Sequence, residues 1–125
     1  MVGFDVSRTA IEAAVQNAGA AGLSNVTLIN DDMRRVSRKE PFDEIITNMP
    51  FGIRSSKHET NVKLYEEFFD LVPHILAKHG LTIVYTQEVR LTTRLFHKSK
   101  YLKLLNIHRV TSGGLKPAVF VGMRE

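Results

Sequence analysis

Apolar runs rich in Val and Ile alternate along the chain with segments of helical period, the pattern of a mostly parallel α/β sheet. Val2–Asp5 reads as a short strand end, and Ser7 stands at an N-cap position ahead of Ile11, Ala14, Val15 and Ala18, which recur at helical spacing. Gly22 closes that helix. Val26–Asn30 and Phe42–Asn48 predict two further strands, with a loop or short helical turn across Asp31–Pro41. Tyr65, Phe68, Phe69, Val72, Ile75 and Leu76 predict the buried face of a long helix from Asn61 to Lys78, ended by Gly80 and kinked at Pro73. Leu81–Thr86 reads as a fourth strand, and Val89–Lys98 as a helix with Leu91, Leu95 and Phe96 on its apolar side. The strand-like runs Leu102–Val110 and Ala118–Met123 are joined by Thr111–Pro117, too short for a crossover helix, so they predict an antiparallel hairpin.

Composition narrows the class. A chain of 125 residues, 43% hydrophobic and 24% charged, predicts a single domain able to bury a core without staples. There is no Cys, which excludes disulfides and thiolate metal sites. No apolar run approaches the ~20 residues of a membrane-spanning helix, and the start lacks the order of a signal peptide. The expectation is a soluble, cytoplasmic protein with no membrane partner. A formal charge of +4 suits a polyanionic partner without showing one. Its positive residues are clustered: Arg34, Arg35, Arg38 and Lys39 follow the second strand, Arg54 and Lys57 follow the third, and Arg90, Arg94, Lys98, Lys100 and Lys103 lie on a helix and its exit. The first two groups are candidate phosphate contacts, and the third reads as a charged outer face. His58, His74, His79, His97 and His108 have no ligand spacing with partner carboxylates, so no metal site and no catalytic His is expected.

In open α/β sheets ligands bind outside the carboxyl ends of the strands. Those ends are polar here: Asp5, then Asp31 and Asp32, then Asn48-Met49-Pro50-Phe51-Gly52, then Thr86-Gln87-Glu88. In the third, a hydrophobic strand ends in a side-chain amide, a proline that restricts Met49 to extended geometry, an aromatic ring and a glycine. An amide oxygen and nearby main-chain carbonyls can accept hydrogen bonds from an exocyclic base amine while a ring stacks on the base. A strand-to-loop turn with Phe51 tucked into the core is the other reading of the same residues.

These segments resemble class I S-adenosylmethionine-dependent methyltransferases that modify exocyclic amines of nucleic-acid bases. Val2-Gly3-Phe4-Asp5-Val6-Ser7 is similar to the family's second strand and acidic motif, and Leu28-Ile29-Asn30-Asp31-Asp32 to its third-strand motif. Asn48-Met49-Pro50-Phe51 is similar to its (Asn/Asp)-x-Pro-(Phe/Tyr) motif. Gly52-Ile53-Arg54 and Gly113-Gly114-Leu115-Lys116-Pro117 extend the likeness toward the RNA-modifying subgroup whose members carry a THUMP domain. Met49, in place of a second proline, resembles the tRNA guanine-N2 enzymes more than the adenine-N6 ones.

The resemblance implies a Rossmann-like sheet with an antiparallel C-terminal hairpin and transfer of a methyl group from S-adenosylmethionine to guanine N2 of tRNA. Adenine-N6 methylation of rRNA or DNA, and a non-catalytic RNA-binding remnant, are the alternatives. By the same resemblance, Asp5 would hold the cofactor's ribose, Asp32 would hold its adenine amine with Met33 against the ring and Asp31 the neighbouring candidate, and Val6 and Asn48 would also touch the cofactor. Asn48, Pro50 and Phe51 would be the catalytic residues: Asn48 and the carbonyl near Met49 would hold the target amine, and Phe51 would stack on the base. Gly52, Arg54 and Lys57 would meet RNA. One departure stands out: the family's first strand and its Gly-rich cofactor loop would precede Val2 and are absent. The family order 3-2-1-4-5-7-6 puts that strand at the sheet's centre. The expectation is therefore an N-terminally truncated catalytic domain that does not hold the cofactor normally until a missing N-terminal segment or a second chain, as in a homodimer, completes the sheet.

Overall fold

The computed structural model describes residues 1–37, 39–50 and 55–125, and the side chains of all of these except 55–58. The chain divides into two compact units, Met1–Ser37 and Arg38–Glu125.

In the first unit β1 (Val2–Asp5) and β2 (Thr27–Asn30) pair in parallel, with Asp5 opposite Asn30. Between them runs α1 (Arg8–Ala20). Ser7 caps it as the sequence predicts, its hydroxyl accepting from the Ala10 N–H, and Gly22 follows its end with φ 69°. No side chain of α1 is fully buried. After β2 the chain makes a single 3-10 turn, Met33–Arg35.

The second unit holds the core. It contains β3 (Phe42–Asn48), α2 (Ser55–Ile75), β4 (Leu76–Thr86), α3 (Val89–Lys98), β5 (Leu102–Arg109) and β6 (Ala118–Arg124), with the sheet order β3-β4-β6-β5. β3 and β4 are parallel, and β6 runs antiparallel to both β4 and β5, so the hairpin predicted from the short connection is present. This is an α/β Rossmann-like arrangement. Its two sheets are consecutive stretches of the strand order that the resemblance implies, and among the described residues no strand pairs with the second edge of β1 or of β3.

Burial alternates along the central strands. Thr82, Val84 and Thr86 of β4 and Ala118 and Phe120 of β6 are buried, while Ile83, Tyr85, Val119 and Val121 are half-buried. The buried face packs on α2 and α3 through Tyr65, Phe68, Phe69, Val72, Leu91, Leu95 and Phe96. Phe96 is the hub: Phe69 meets it edge-on at 4.8 Å between centroids, and Phe120 stacks on it at 6.0 Å.

One boundary differs from expectation. α2 begins earlier than Asn61 and ends at Ile75, and Leu76 already pairs with Phe42. The register then shifts, so that Leu81 pairs with Glu44. Gly80 is therefore no helix cap. It lies where β4 crosses β3 closely, since a Cβ there would sit 2.8 Å from the Asp43 carbonyl oxygen. Periodicity misplaces this boundary because Leu76 is fully buried in strand as it would have been in helix.

Gly122 makes room for the hub ring, because a Cβ there would lie 2.3 Å from Phe96 Cε1. Gly122→Ala should destabilise the protein by about 1–3 kcal/mol through overpacking, read as a lowered urea midpoint with an unchanged m-value. An unchanged midpoint would show that the ring moves without cost.

Candidate active site

Parallel pairing carries the ends of β3 and β4 to one rim of the second unit. Asn48 pairs with Tyr85, and the Met49 N–H donates to the Tyr85 carbonyl at 3.0 Å, extending the ladder one residue past the strand. The Met49 side chain is then buried at 2% exposure, whereas Asn48 and Pro50 on either side are exposed. Alternation of a pleated chain accounts for this: anchoring Met49 in the core turns its neighbours outward. The Asn48 amide makes no hydrogen bond among the described residues, nor does the Met49 carbonyl, so both remain available to a ligand amine.

A buried hydroxyl chain sets the next carbonyl. The Tyr65 hydroxyl lies 2.7 Å from the Pro50 oxygen and 2.5 Å from Thr86 Oγ1, and the Glu88 N–H lies 2.9 Å from that same Oγ1. Counting protons fixes the direction. A carbonyl only accepts, so the one Tyr65 proton goes to Pro50, and Thr86 must donate to Tyr65 while accepting from Glu88. Burial raises the Tyr65 phenol to about 12, so it stays a donor across the working pH range. This relay ties α2, the end of β4 and the peptide after Pro50 into one unit.

Tyr65 and Thr86 were legible in sequence only as a helix-face aromatic and a polar strand end. The available signal was the hydroxyl itself, since a buried Tyr needs a partner. Tyr65→Phe should cost about 1–3 kcal/mol by leaving the Pro50 carbonyl without its donor, and chemical denaturation measures it. A loss below ~0.5 kcal/mol would mean that water replaces the hydroxyl.

The first unit carries the other predicted residues. Asn30 Nδ2 donates to the carbonyls of both Asp5 and Val6 at 3.0 Å, clamping the turn after β1. That clamp was not foreseen. Asp5 is exposed, and its Oδ1 accepts the Ser7 N–H at 2.7 Å, leaving Oδ2 without a partner among the described residues. Asp32 is fully engaged. It caps the 3-10 turn by accepting the Arg34 N–H, and both its oxygens accept from the Arg34 guanidinium at 2.6–3.0 Å. Those bonds hold its carboxyl down at about 2. Because this folded value is depressed, the pair's contribution is complete above the ordinary carboxylate value and lost as pH falls through about 2. Asp31 accepts the Asp32 N–H through Oδ1 and lies 3.6 Å from Arg35, with Oδ2 unengaged. Met33 opens the turn, half-buried. Phe51, Gly52 and Arg54, and the side chain of Lys57, lie outside the described residues. No group of three metal-ligating side chains occurs among those described.

The family model for the RMKL-like, methyltransferase domain matches residues 1–118. Among curated proteins, the chain is 29% identical over 122 residues to the tRNA (guanine(6)-N2)-methyltransferase of Methanocaldococcus jannaschii, covering 96% of this chain and 32% of that protein. It is 33% identical over 82 residues to the tRNA (guanine(10)-N2)-dimethyltransferase of Methanothermobacter thermautotrophicus, covering 65% and 24%. Among solved structures, TrmN from Thermus thermophilus superposes with a TM-score of 0.86 at 26% identity, covering 99% of this chain and 36% of that one. The chain thus spans about a quarter to a third of the length of the curated relatives it matches.

Proposed function

This chain belongs to the UPF0020 family, the RMKL-like methyltransferase domains, and from that premise we propose that it methylates the N2 amine of a guanine in tRNA, using S-adenosylmethionine, in the cytoplasm. The observation that carries the reading is the end of β3: an exposed side-chain amide with no partner of its own, followed by an open carbonyl, on a backbone that Tyr65 and Tyr85 lock. Two acceptors at one fixed point are what an exocyclic NH2 group needs. Bound there, the amine directs its lone pair away from Asn48 and toward the methyl donor. S-adenosylmethionine supplies a methyl group already activated by its sulfonium centre, so the chain's part is alignment. The guanine specificity rests on the two curated relatives, both named as guanine-N2 enzymes.

The first unit fits a ribose diol at Asp5, where one carboxylate oxygen is open and Asn30 fixes the backbone. It fits an adenine amine less simply: Asp31 keeps a free oxygen, whereas Asp32 accepts one only when Arg34 lets go. Phe51 as the stacking ring, with Gly52, Arg54 and Lys57 against RNA, completes the assignment. In the full-length protein, Asn48→Ala should lower kcat by two orders of magnitude or more while leaving S-adenosylmethionine affinity within about twofold. Unaltered turnover would remove Asn48 from the chemistry.

The open edges of β1 and β3 bear on the domain as a whole. Parallel strands are normally covered on both sides, yet Ile46 of β3 is 70% exposed. We assign these edges to strand pairing with a segment outside residues 1–125, either in the same polypeptide or in a second copy, which makes this chain part of one methyltransferase domain. Sedimentation of the full-length protein distinguishes the sources: an active monomer assigns the strand to the same polypeptide, and activity confined to a dimer assigns it to a partner.

A further inference from the structure

The third cationic group, which the sequence presents as a charged outer face, occupies a setting that the alignment chemistry leaves unexplained. Residues 89–124 contain eight Lys and Arg and not one Asp or Glu, although the whole chain has thirteen carboxylates. The charge is also organised. α3 buries Leu91, Thr92, Leu95 and Phe96 against the sheet, so Arg90, Arg94 and Lys98 form its exposed stripe, with His97 beside them. Steps of four residues at 1.5 Å rise space these cations about 6 Å apart over about 12 Å of helix. No ion pair engages any of the three among the described residues.

Two further features give the stripe a direction. α3 starts directly after Thr86–Glu88, at the same rim as Asn48, so Arg90 stands at the active-site end and Lys98 at the far end. At the sheet edge, Arg109 pairs with Ala118, two residues from the Phe120 that stacks on Phe96 of α3. The pleat therefore puts Arg109 on the α3 side of the sheet, exposed at the rim end of β5. Glu88 precedes the stripe at the rim end as the N-cap residue of α3, and Glu66 and Asp70 of α2 share a cleft of about 440 Å³ with Lys98 and Lys100 at the far end.

We propose that this stripe is a phosphate track: Arg90, Arg94 and Lys98, flanked by Arg109, hold the backbone of the RNA whose target base enters at Asn48. The inference rests on the tRNA reading above and adds a surface to it. Exposed cations at regular spacing repel one another, and a nucleic-acid strand offers opposite charges in series that relieve that repulsion and release its counterions. The stripe touches no reacting atom, so it acts on RNA affinity and on KM, with kcat left alone.

The test uses the full-length protein and its tRNA substrate. The variant R90Q/R94Q/K98Q removes three exposed charges from a helix whose buried face is untouched, and K63Q/K78Q removes exposed charges elsewhere. Binding is followed by fluorescence anisotropy across a salt series, with methyl transfer measured in parallel. The stripe variant should bind tRNA about tenfold more weakly, raise KM by a similar factor with kcat unchanged, and flatten the slope of log K against log salt by about 2–3. The control variant should leave the slope within about half a unit. If wild type methylates tRNA but the stripe variant keeps its slope and KM, the track is overturned, leaving a solvated face or an acidic-protein contact while the tRNA reading stands. If wild type neither binds nor methylates tRNA, both fall together.

Discussion

The backbone that leaves β3 depends on one buried hydroxyl. Pro50 begins the segment that leaves the sheet, so its carbonyl lacks the ladder partner that Met49 still has. Left without that donor, the carbonyl would turn to water for its partner and the segment would be held less firmly. Tyr65 supplies the donor from α2, and because its phenol also accepts from Thr86, the correction draws in the end of β4. Helix, strand and motif are thereby one hydrogen-bonded body. Displacing any one of them leaves a buried polar group unsatisfied.

The end of β3 is built without a titrating group poised for proton transfer. Asn48 has no proton to exchange, and Tyr65 behind it is held neutral by burial. A reaction whose electrophile arrives activated asks for alignment rather than proton transfer. In the proposed reaction the work left to this chain is geometric, and its precision is that of the backbone rather than of a flexible side chain. Met49 illustrates the economy: its side chain fills the core at 2% exposure while its carbonyl stays open at the rim.

What the sequence made legible follows from the range of the forces involved. Alternation and helical spacing act over neighbouring residues, so the strands, the Ser7 cap and the C-terminal hairpin could be read directly. The motif beginning at Asn48 is legible because proline restricts the backbone and glycine frees it to turn, both of them local effects. Gly80 misled because a close strand crossing and a helix cap call for the same residue, and only the Asp43 carbonyl across the sheet tells them apart. Tyr65 with Thr86, and Asn30 with Asp5 and Val6, are pairings across 21 and about 25 residues. Nothing in local pattern sets such distances. The engagement of Asp32 by Arg34 is different: it spans two residues, and a turn cap is the plain local role of an Asp at such a position.

The two units differ in how completely the chain satisfies its own surfaces. The second has buried aromatic packing on one face of a four-stranded sheet, while the first has a two-stranded sheet and a helix with no fully buried side chain. A two-stranded element of this kind is marginal in water without further cover. Its backbone is nevertheless well defined locally, by the Ser7 cap, the Asn30 clamp and the Asp32 turn, all of them polar and short in reach. Such contacts can fix the shape of a loop that meets a ligand, but they contribute little to holding a strand against solvent. The turns after β1 and β2 are thus built by the chain itself, and under the proposed assignment the cover over its open strand edges comes from the segment that pairs with them.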